Sequence, residues 1–361
     1  MAGSHEATTM NMLGEKAFLR RLIPRLHADR RLIDGHGHDA TAIQIESLVD
    51  RVAFKIDRAA HPVAVSQGWS GYAAWGRMAV TANCSDLLAA GSSPLAFMVA
   101  ITVPGSWLVQ DVEDIVLGCQ EECERNNVSF AGGDTKEGPT PQVVGSAFGV
   151  YDDDRSPLPR TKAEAGDKLV VAGPVGGFLA AALLLEKSSN ASEVEKRQWI
   201  DYLAFPRARW VEANHIIAHC SPRAGMDTSD GIFDALVELT KNGLGLRIDL
   251  ESVPFHPFAF RCADELRLPL ENFLFGGGDW NILYALASED MWPSSLPETG
   301  ALSVIGAFTS AQELTAQRGS EYYDVAGPRH EHFRARLEDG SSFINTIARG
   351  NWFNRRTSRA T

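Results

Sequence analysis

The sequence predicts a two-domain protein of mixed α/β class. Three observations carry that reading. At 361 residues the chain is long for one domain, and 44% of it is hydrophobic, enough to fill two cores. Short apolar runs alternate along it with segments whose apolar residues recur at helical spacing. A charged, proline-bearing stretch, Tyr151-Asp152-Asp153-Asp154-Arg155-Ser156-Pro157-Leu158-Pro159, divides it near the middle. The expected organisation is an unstructured stretch or cloning scar at 1–13, an N-terminal domain at 14–155, a C-terminal α+β domain at 156–345 and a tail at 346–361.

The elements follow in order. Phe18, Leu19, Leu22, Ile23 and Leu26 recur at helical spacing and predict an amphipathic helix from Glu15 to Leu26. Val63 to Ser66 is strand-like. Tyr72 to Ala90 is alanine-rich and free of proline, which favours a helix. On it Asn83 and Asp86, three apart, share a face with Ala79 and Ala90. Phe97 to Val103 reads as a buried strand, Val109 to Asn126 as a helix and Val143 to Val150 as a strand. The second domain opens with a strand from Lys168 to Ala172, closed by Gly173-Pro174-Val175-Gly176-Gly177 before an alanine/leucine helix. Ile232, Phe233, Leu236 and Leu239 define a later helix that ends near Gly243. Gly276-Gly277-Gly278-Asp279-Trp280 has the look of a tight strand-to-helix turn and precedes the apolar run Ile282 to Ala287.

Composition narrows the function. The formal charge of −12 argues against a nucleic-acid backbone or an anionic membrane as partner. No apolar run approaches the roughly 20 residues needed to cross a bilayer, and no basic-then-apolar secretory signal is visible. Five cysteines, Cys84, Cys119, Cys123, Cys220 and Cys262, have no pairing pattern and suit a reducing cytoplasm.

Aspartates in short glycine- or serine-punctuated motifs are the chemical signal: Gly37-His38-Asp39-Ala40, Asp57, Asn83-Cys84-Ser85-Asp86, Gly132-Gly133-Asp134-Thr135 and Asp227-Thr228-Ser229-Asp230-Gly231. So many like charges gathered together need a cation between them. Oxygen ligands favour hard divalent ions, and Mg²⁺ is held by a few carboxylates plus waters and phosphates. The set therefore points to Mg²⁺ with ATP. In Gly132 to Thr135 the glycines let backbone N–H groups approach phosphates and Asp134 can hold the metal, although a plain turn is the more ordinary reading. In the 227–231 motif, helix capping explains Ser229 or Asp230 and leaves Asp227 without a role. Two carboxylates three apart on a loop can converge on one cation.

Other constellations are less productive. Cys119 with Cys123, and His215 with His219 and Cys220, lack the four-ligand spacing of a zinc site and read as core or surface. An imidazole beside a metal carboxylate, as at His36 and His38, can act as a base, but a solvated loop histidine is commoner. The 173–177 glycines read first as a turn and second as an anion nest, and those at 276–278 as structural or as space for a substrate. No Walker or Rossmann loop occurs.

Taken in order, the motifs resemble those of the thiamine-monophosphate kinase family, a branch of the superfamily that includes aminoimidazole ribonucleotide synthetase, selenophosphate synthetase and the hydrogenase-maturation carbamoyl-dehydrating protein. The kinase pattern is G-D-D-A, S-T-D, N-x-S-D-x-x-A-M-G-A-x-P, G-G-D-T, R-x-x-A-x-x-G-D, D-x-S-D-G and G-G-E-D-Y. Here it is matched by Gly37 to Ala40, Lys55-Ile56-Asp57, Asn83 to Pro94, Gly132 to Thr135, Arg160 to Asp167, Asp227 to Gly231 and Gly276 to Trp280. The match spans about residues 14 to 290.

The resemblance implies that Asp39, Asp57, Asp86, Asp134, Asp227 and Asp230 are metal ligands, with Asp39, Asp134 and Asp230 central to catalysis. It implies ATP contacts from Gly133, Asp134, Arg160 and Ser229, and a substrate end at Gly278 and Asp279. The implied fold pairs two N-terminal halves into a shared β-barrel across a homodimer, with the active site in a cleft near that interface. Three departures stand out. His38 replaces an Asp, Lys55-Ile56-Asp57 replaces S-T-D, and Gly278 replaces the Glu used near the kinase's substrate. Lys136 also gives G-G-D-T-K, as in the hydrogenase-maturation branch. The expected activity is phosphoryl transfer from ATP, with Mg²⁺, to a small molecule other than thiamine phosphate. The rivals are an ATP-dependent cyclising or dehydrating step that activates a carbonyl oxygen, a nucleotide-binding partner that has lost catalysis, and a metal hydrolase working without ATP.

Overall fold

A computed structural model describes residues 8–13, 15–27, 30–33, 42–43, 51–151, 157–289, 301–327 and 340–356. The chain divides into two compact units. One is Met1–Leu87, Ser92–Arg155 and Ala204–Pro206; the other is Leu88–Gly91, Ser156–Leu203 and Arg207–Thr361.

The first unit contains α1 (Met10–Leu13), α2 (Glu15–Leu22), β1 (Leu32–Ile33), β2 (Ala42–Ile43), β3 (Val52–Ala59), α3 (Val63–Ser66), α4 (Ala73–Ala89), β4 (Ser93–Val103), α5 (Val109–Arg125), β5 (Ser129–Glu137) and β6 (Gln142–Val150). Four strands form one sheet in the order β3-β6-β4-β5, with only the β4–β5 pair parallel. On β4, Phe97, Val99, Ile101 and Val103 are buried while Met98 and Ala100 are exposed, so the strand expected to be wholly buried is buried on one face. Helix α4 is apolar nearly all round and buried, as that pattern requires. Two of its buried polar groups are met by the short return segment 204–206. Arg77 Nε donates to Ala204 O, and Thr81 Oγ1 donates to Pro206 O.

Local rules explain three departures in this unit. Helix α2 stops at Leu22 because Pro24 lies in a 3₁₀ turn at Ile23–Arg25, not in a continuing α-helix. Val63 to Ser66 is one helical turn, not a strand. Pro62 is extended and its carbonyl accepts from Val65 N and Ser66 N, which overrides the β-branched propensity of so short a run. Residues 10–13, expected to lack structure, form α1, held by Met10 N to Trp107 O and Val109 N to Thr8 O. Buried Glu113 on α5 clamps α2 and the turn after it, pairing with Arg21 at 2.6 Å and with Arg25.

The second unit contains β7 (Lys168–Ala172), α6 (Gly177–Lys187), α7 (Glu193–Ala204), α8 (Trp210–His219), β8 (Pro222–Asp227), α9 (Ile232–Leu239), β9 (Gly245–Asp249), α10 (Pro257–Leu266), β10 (Ile282–Leu286), β11 (Leu302–Thr309), β12 (Leu314–Arg318), β13 (Glu321–Val325), α11 (Gly340–Arg349) and β14 (Phe353–Arg355). Eight strands form one sheet in the order β14-β13-β12-β9-β11-β7-β10-β8. The interior strands β7 and β10 read as continuous apolar runs, and Leu169 to Ala172 and Ile282 to Leu286 are buried throughout. The expected tail is structured: α11 runs through 346, and β14 adds to the sheet edge on β13. Trp352 Nε1 donates to Ile347 O, and its ring packs on Phe275, so this aromatic docks the tail.

Register in this sheet places the loops. Ile282 pairs with Ala172 on one side and with Asp227 on the other. The loops 173–176, 228–231 and 276–281 therefore emerge together at one end of the sheet. Among the described residues no helix is long and apolar enough to cross a membrane.

Candidate active site

The aspartate loop of the second unit begins where β8 ends. Asp227 is buried, and Ser229 Oγ donates to its Oδ1 at 3.3 Å. Thr228 N donates to Asn281 O, and Gly231 N returns to Thr228 O, which makes the loop a tight turn that leaves Asp230 exposed. Helix α9 takes Gly231 as its N-cap, so neither Ser229 nor Asp230 occupies the N-cap position. The glycine loop packs directly on this turn: a Cβ on Gly277 would stand 2.4 Å from Ser229 O. Two loops distant in sequence are thus fitted together without room for a methyl group.

The 276–280 run joins a 3₁₀ turn, Leu270–Phe275, to β10; it is not the expected strand-to-helix turn. Gly278 has φ of +92° and lies under the Phe178 ring, and Trp280 holds a left-handed φ of +53°, uncommon for a bulky residue. Asp279 between them is committed internally. Its Oδ2 accepts from Gly176 N at 2.7 Å; its Oδ1 accepts from Phe178 N at 2.7 Å and from the Tyr202 hydroxyl at 2.9 Å. Burial pushes its pKa up, against those hydrogen bonds and the Arg209 charge. The expected substrate contact at Asp279 therefore gives way to a structural role, and the 173–177 nest is filled by this carboxylate.

Around Asp279 sits a polar shell that the sequence did not single out. Arg209 donates from Nη2 to Asp279 O at 2.6 Å and from Nε to Asn281 Oδ1 at 2.9 Å. Burial, and then the Asp279 charge, raise the Tyr202 hydroxyl well above its ordinary pKa, so it stays a donor. The Tyr202 ring stacks at 4.7 Å from His256, whose Nδ1 accepts from Phe258 N and caps α10. The aspartate after the glycine run was visible in the sequence; its donors lie 77 to 103 positions away in the chain.

In the first unit Gly132 to Thr135 lies inside β5, not in a turn. Gly133 is required by strand packing, since a Cβ there would stand 1.8 Å from Val99 O. Asp57 on β3 falls in the register row Asp57–Gly145–Val99–Gly133. Asp134 falls in the next row, with Ala100, and so on the opposite face of the sheet. Asp86 on α4 lies beside Asp57 through Lys55, whose Nζ is 2.6 Å from Asp86 Oδ2 and 3.7 Å from Asp57 Oδ2. Asn83 is fully buried on the same helix. Its Nδ2 donates to Ala79 O, and its Oδ1 has no hydrogen-bond partner. Lys136 sits 3.8 Å from Asp134 on the far face.

Within the first unit, Asp57 and Asp86 come together and Asp134 stands on the opposite face of the sheet. Asp39, like His36 and His38, lies outside the described residues. Among the described residues no three His, Cys, Asp or Glu side chains are grouped to hold a metal ion by themselves. The donor set around Asp227 and Asp230 is oxygen-only and fits Mg²⁺ held by one or two carboxylates with water and phosphate. The Asp57–Asp86 pair does not fit a metal equally well, because an ammonium already bridges it. Arg160 is exposed in a turn; Asn242 Nδ2 tethers the residues after it through Thr161 O and Ala163 O, and Asp167 closes the turn by accepting from Glu164 N. Cys119 and Cys123 are buried free thiols, as expected of core residues.

Comparison with known proteins agrees with this architecture. Residues 37–151 match the family model described as AIR synthase related protein, N-terminal domain. A thiamine-monophosphate kinase of Methanospirillum hungatei JF-1 is 30% identical over 233 residues, 64% of this chain and 74% of that protein. The structure of thiamine-monophosphate kinase from Stenotrophomonas maltophilia K279a superposes with a TM-score of 0.69 at 21% identity, covering 87% of this chain and 98% of that one. The E. coli hydrogenase maturation protein HypE gives a TM-score of 0.66 at 16% identity, covering 89% and 99%. These two likenesses speak to the fold: a mixed α/β architecture with two sheets. The identity to the Methanospirillum protein establishes that the chain belongs to the thiamine-monophosphate kinase family of ATP-dependent enzymes.

Proposed function

We propose that the chain transfers the γ-phosphoryl group of ATP to a small-molecule acceptor other than thiamine monophosphate. The observation that carries this reading is the interlocked pair of loops at 227–231 and 276–278. One presents two carboxylates; the other, where the family pattern has a glutamate, presents Gly278 beneath Phe178. An acceptor that needs that glutamate would find an aromatic ring instead.

In this reading Mg²⁺ neutralises charge on the phosphates, which is most of what phosphoryl transfer asks of an enzyme. The residues that would hold magnesium are Asp227 and Asp230 in the second unit, Asp134 in the first, and Asp39 outside the described residues. Gly133 N–H, the Ser229 hydroxyl and the Arg160 guanidinium position phosphate oxygens. The active form is a homodimer whose four-stranded sheets close a common barrel. Support comes from the uncovered apolar face, where Phe54 is 74% and Ile56 69% exposed, beside Val52 and Met98. Five free cysteines favour a cytoplasmic setting. Binding of nucleic acid or membrane forms no part of the reading.

The test is ADP release measured across acceptors that bear a phosphate, carboxylate, amide or hydroxyl, thiamine monophosphate among them, with ³¹P NMR of the products. Acceptor-dependent ADP and a phosphorylated product support the reading. No ADP with any acceptor would overturn it, and thiamine monophosphate as the best acceptor would overturn its acceptor clause. A second reading, ATP-dependent cyclisation or dehydration, is favoured by Lys136 in G-G-D-T-K; it predicts inorganic phosphate and no phosphorylated product.

A further inference from the structure

We infer that the Lys55 ammonium takes the place of one metal ion in the N-terminal carboxylate set, so that Asp57 and Asp86 share a cation built into the chain. The inference rests on the magnesium–nucleotide reading above, in which Asp57 and Asp86 are left outside the metal-holding set.

Three observations lead to it. Lys55 and Asp57 are two apart on β3, and strand alternation puts both side chains on the face that α4 covers with Asp86. The ammonium contacts Asp86 at 2.6 Å and reaches Asp57 at 3.7 Å, which puts a positive charge between two carboxylates brought together from a strand and a helix. The pair is sheltered: the Lys55 side chain is 30% and that of Asp86 20% exposed. The residue that the kinase pattern carries at this position is serine. A serine hydroxyl is too short to stand between the two carboxylates and carries no charge. It leaves two acidic oxygen donors that can gather a divalent ion with water, the usual manner for Mg²⁺. With lysine present, such an ion must displace the ammonium and then lie beside a like charge. Lys136 repeats the two-residue spacing beside Asp134, but at 3.8 Å and with both side chains mostly exposed, so it is held loosely and carries no such claim.

Mn²⁺ titration of the full chain, followed by the EPR signal of free Mn²⁺ in the absence of nucleotide, tests this. Lys55→Ser is expected to bind one more Mn²⁺ than the parent chain, or to bind one at least tenfold more tightly. Lys55→Arg, which keeps the charge, is expected to match the parent. Adding Asp86→Asn to Lys55→Ser is expected to abolish the gain. Equal number and affinity in Lys55→Ser and the parent would overturn the inference. Should Lys55→Ser lose its circular-dichroism melt, Lys55→Met keeps the stem without the charge and takes the same titration. No turnover is read, so a chain that releases ADP yet shows no Mn²⁺ gain sinks only this inference. A chain that gains Mn²⁺ but never consumes ATP sinks the functional reading instead.

Discussion

Gly278 and Phe178 occupy one another's space: a Cβ on Gly278 would stand 2.6 Å from Phe178 Cγ, on a backbone held at φ +92°. Placing a glutamate at 278 therefore involves two residues, not one. Gly278→Glu alone is expected to destabilise the chain by about 2–4 kcal/mol, from left-handed strain plus the clash. Adding Phe178→Ala should relieve the clash and leave the strain. Urea unfolding of the two single variants and the double variant checks this; a coupling below about 0.5 kcal/mol would show that the two positions act independently.

Asp230 is exposed on the turn after β8, where substitutions usually cost little stability. Asp230→Asn is expected to shift stability by no more than about 0.5 kcal/mol. The same variant should lower ATP turnover by at least ~100-fold, the scale of losing one preorganised charge-stabilising group. Parallel melts and ADP-release rates decide it. A variant with near-normal turnover would remove Asp230 from the catalytic set.

Much of this molecule was legible in its sequence where one rule dominates. Lys168 to Ala172 is an apolar run that reads as a strand and forms one, and α4 declares itself by alanine content. Short pieces were misread because their neighbours decide: Pro62 winds Val63 to Ser66 into a turn, and β4 draws Gly132 to Thr135 into a strand. The aspartate motif at 227–231 reads as a loop, and a tight turn stands there. They could not reveal that Asp279 is consumed by Gly176, Phe178 and Tyr202, because those donors lie 77 to 103 positions away. Lys55 was noticed only as a departure. The two-residue spacing to Asp57 on a strand was the signal that could have identified it as a partner.

The open face of the four-stranded sheet gives a third expectation. Phe54 and Ile56 alternate with Lys55 and Asp57 along β3, so substitutions at 54 and 56 leave the covered face alone. Phe54→Asp with Ile56→Asp should convert a dimer to a monomer in sedimentation equilibrium, because two charges per subunit would have to be buried without partners. A monomeric parent chain, or a doubly substituted chain that still dimerises, would place the subunit contact elsewhere.

His256 gives the chain a defined acid sensitivity. Burial, and then the neighbouring Arg209 charge, lower its pKa from 6.5 to about 4. Its neutral Nδ1 is needed as the acceptor for Phe258 N at the start of α10. Between those two values the unfolded chain takes up a proton that the folded chain refuses. Unfolding free energy therefore falls as pH drops from 6.5 toward 4 and is unaffected by this group above 6.5. The ceiling is about 3.4 kcal/mol by linkage, and partial exposure of the imidazole reduces it to about 1–2 kcal/mol. His256→Asn retains a side-chain acceptor for the cap and has no proton to gain. It should match the parent at pH 7.5 to within about 1 kcal/mol. At pH 5 it should lose less stability than the parent in urea unfolding. Equal losses in the two chains would assign the acid sensitivity to other groups.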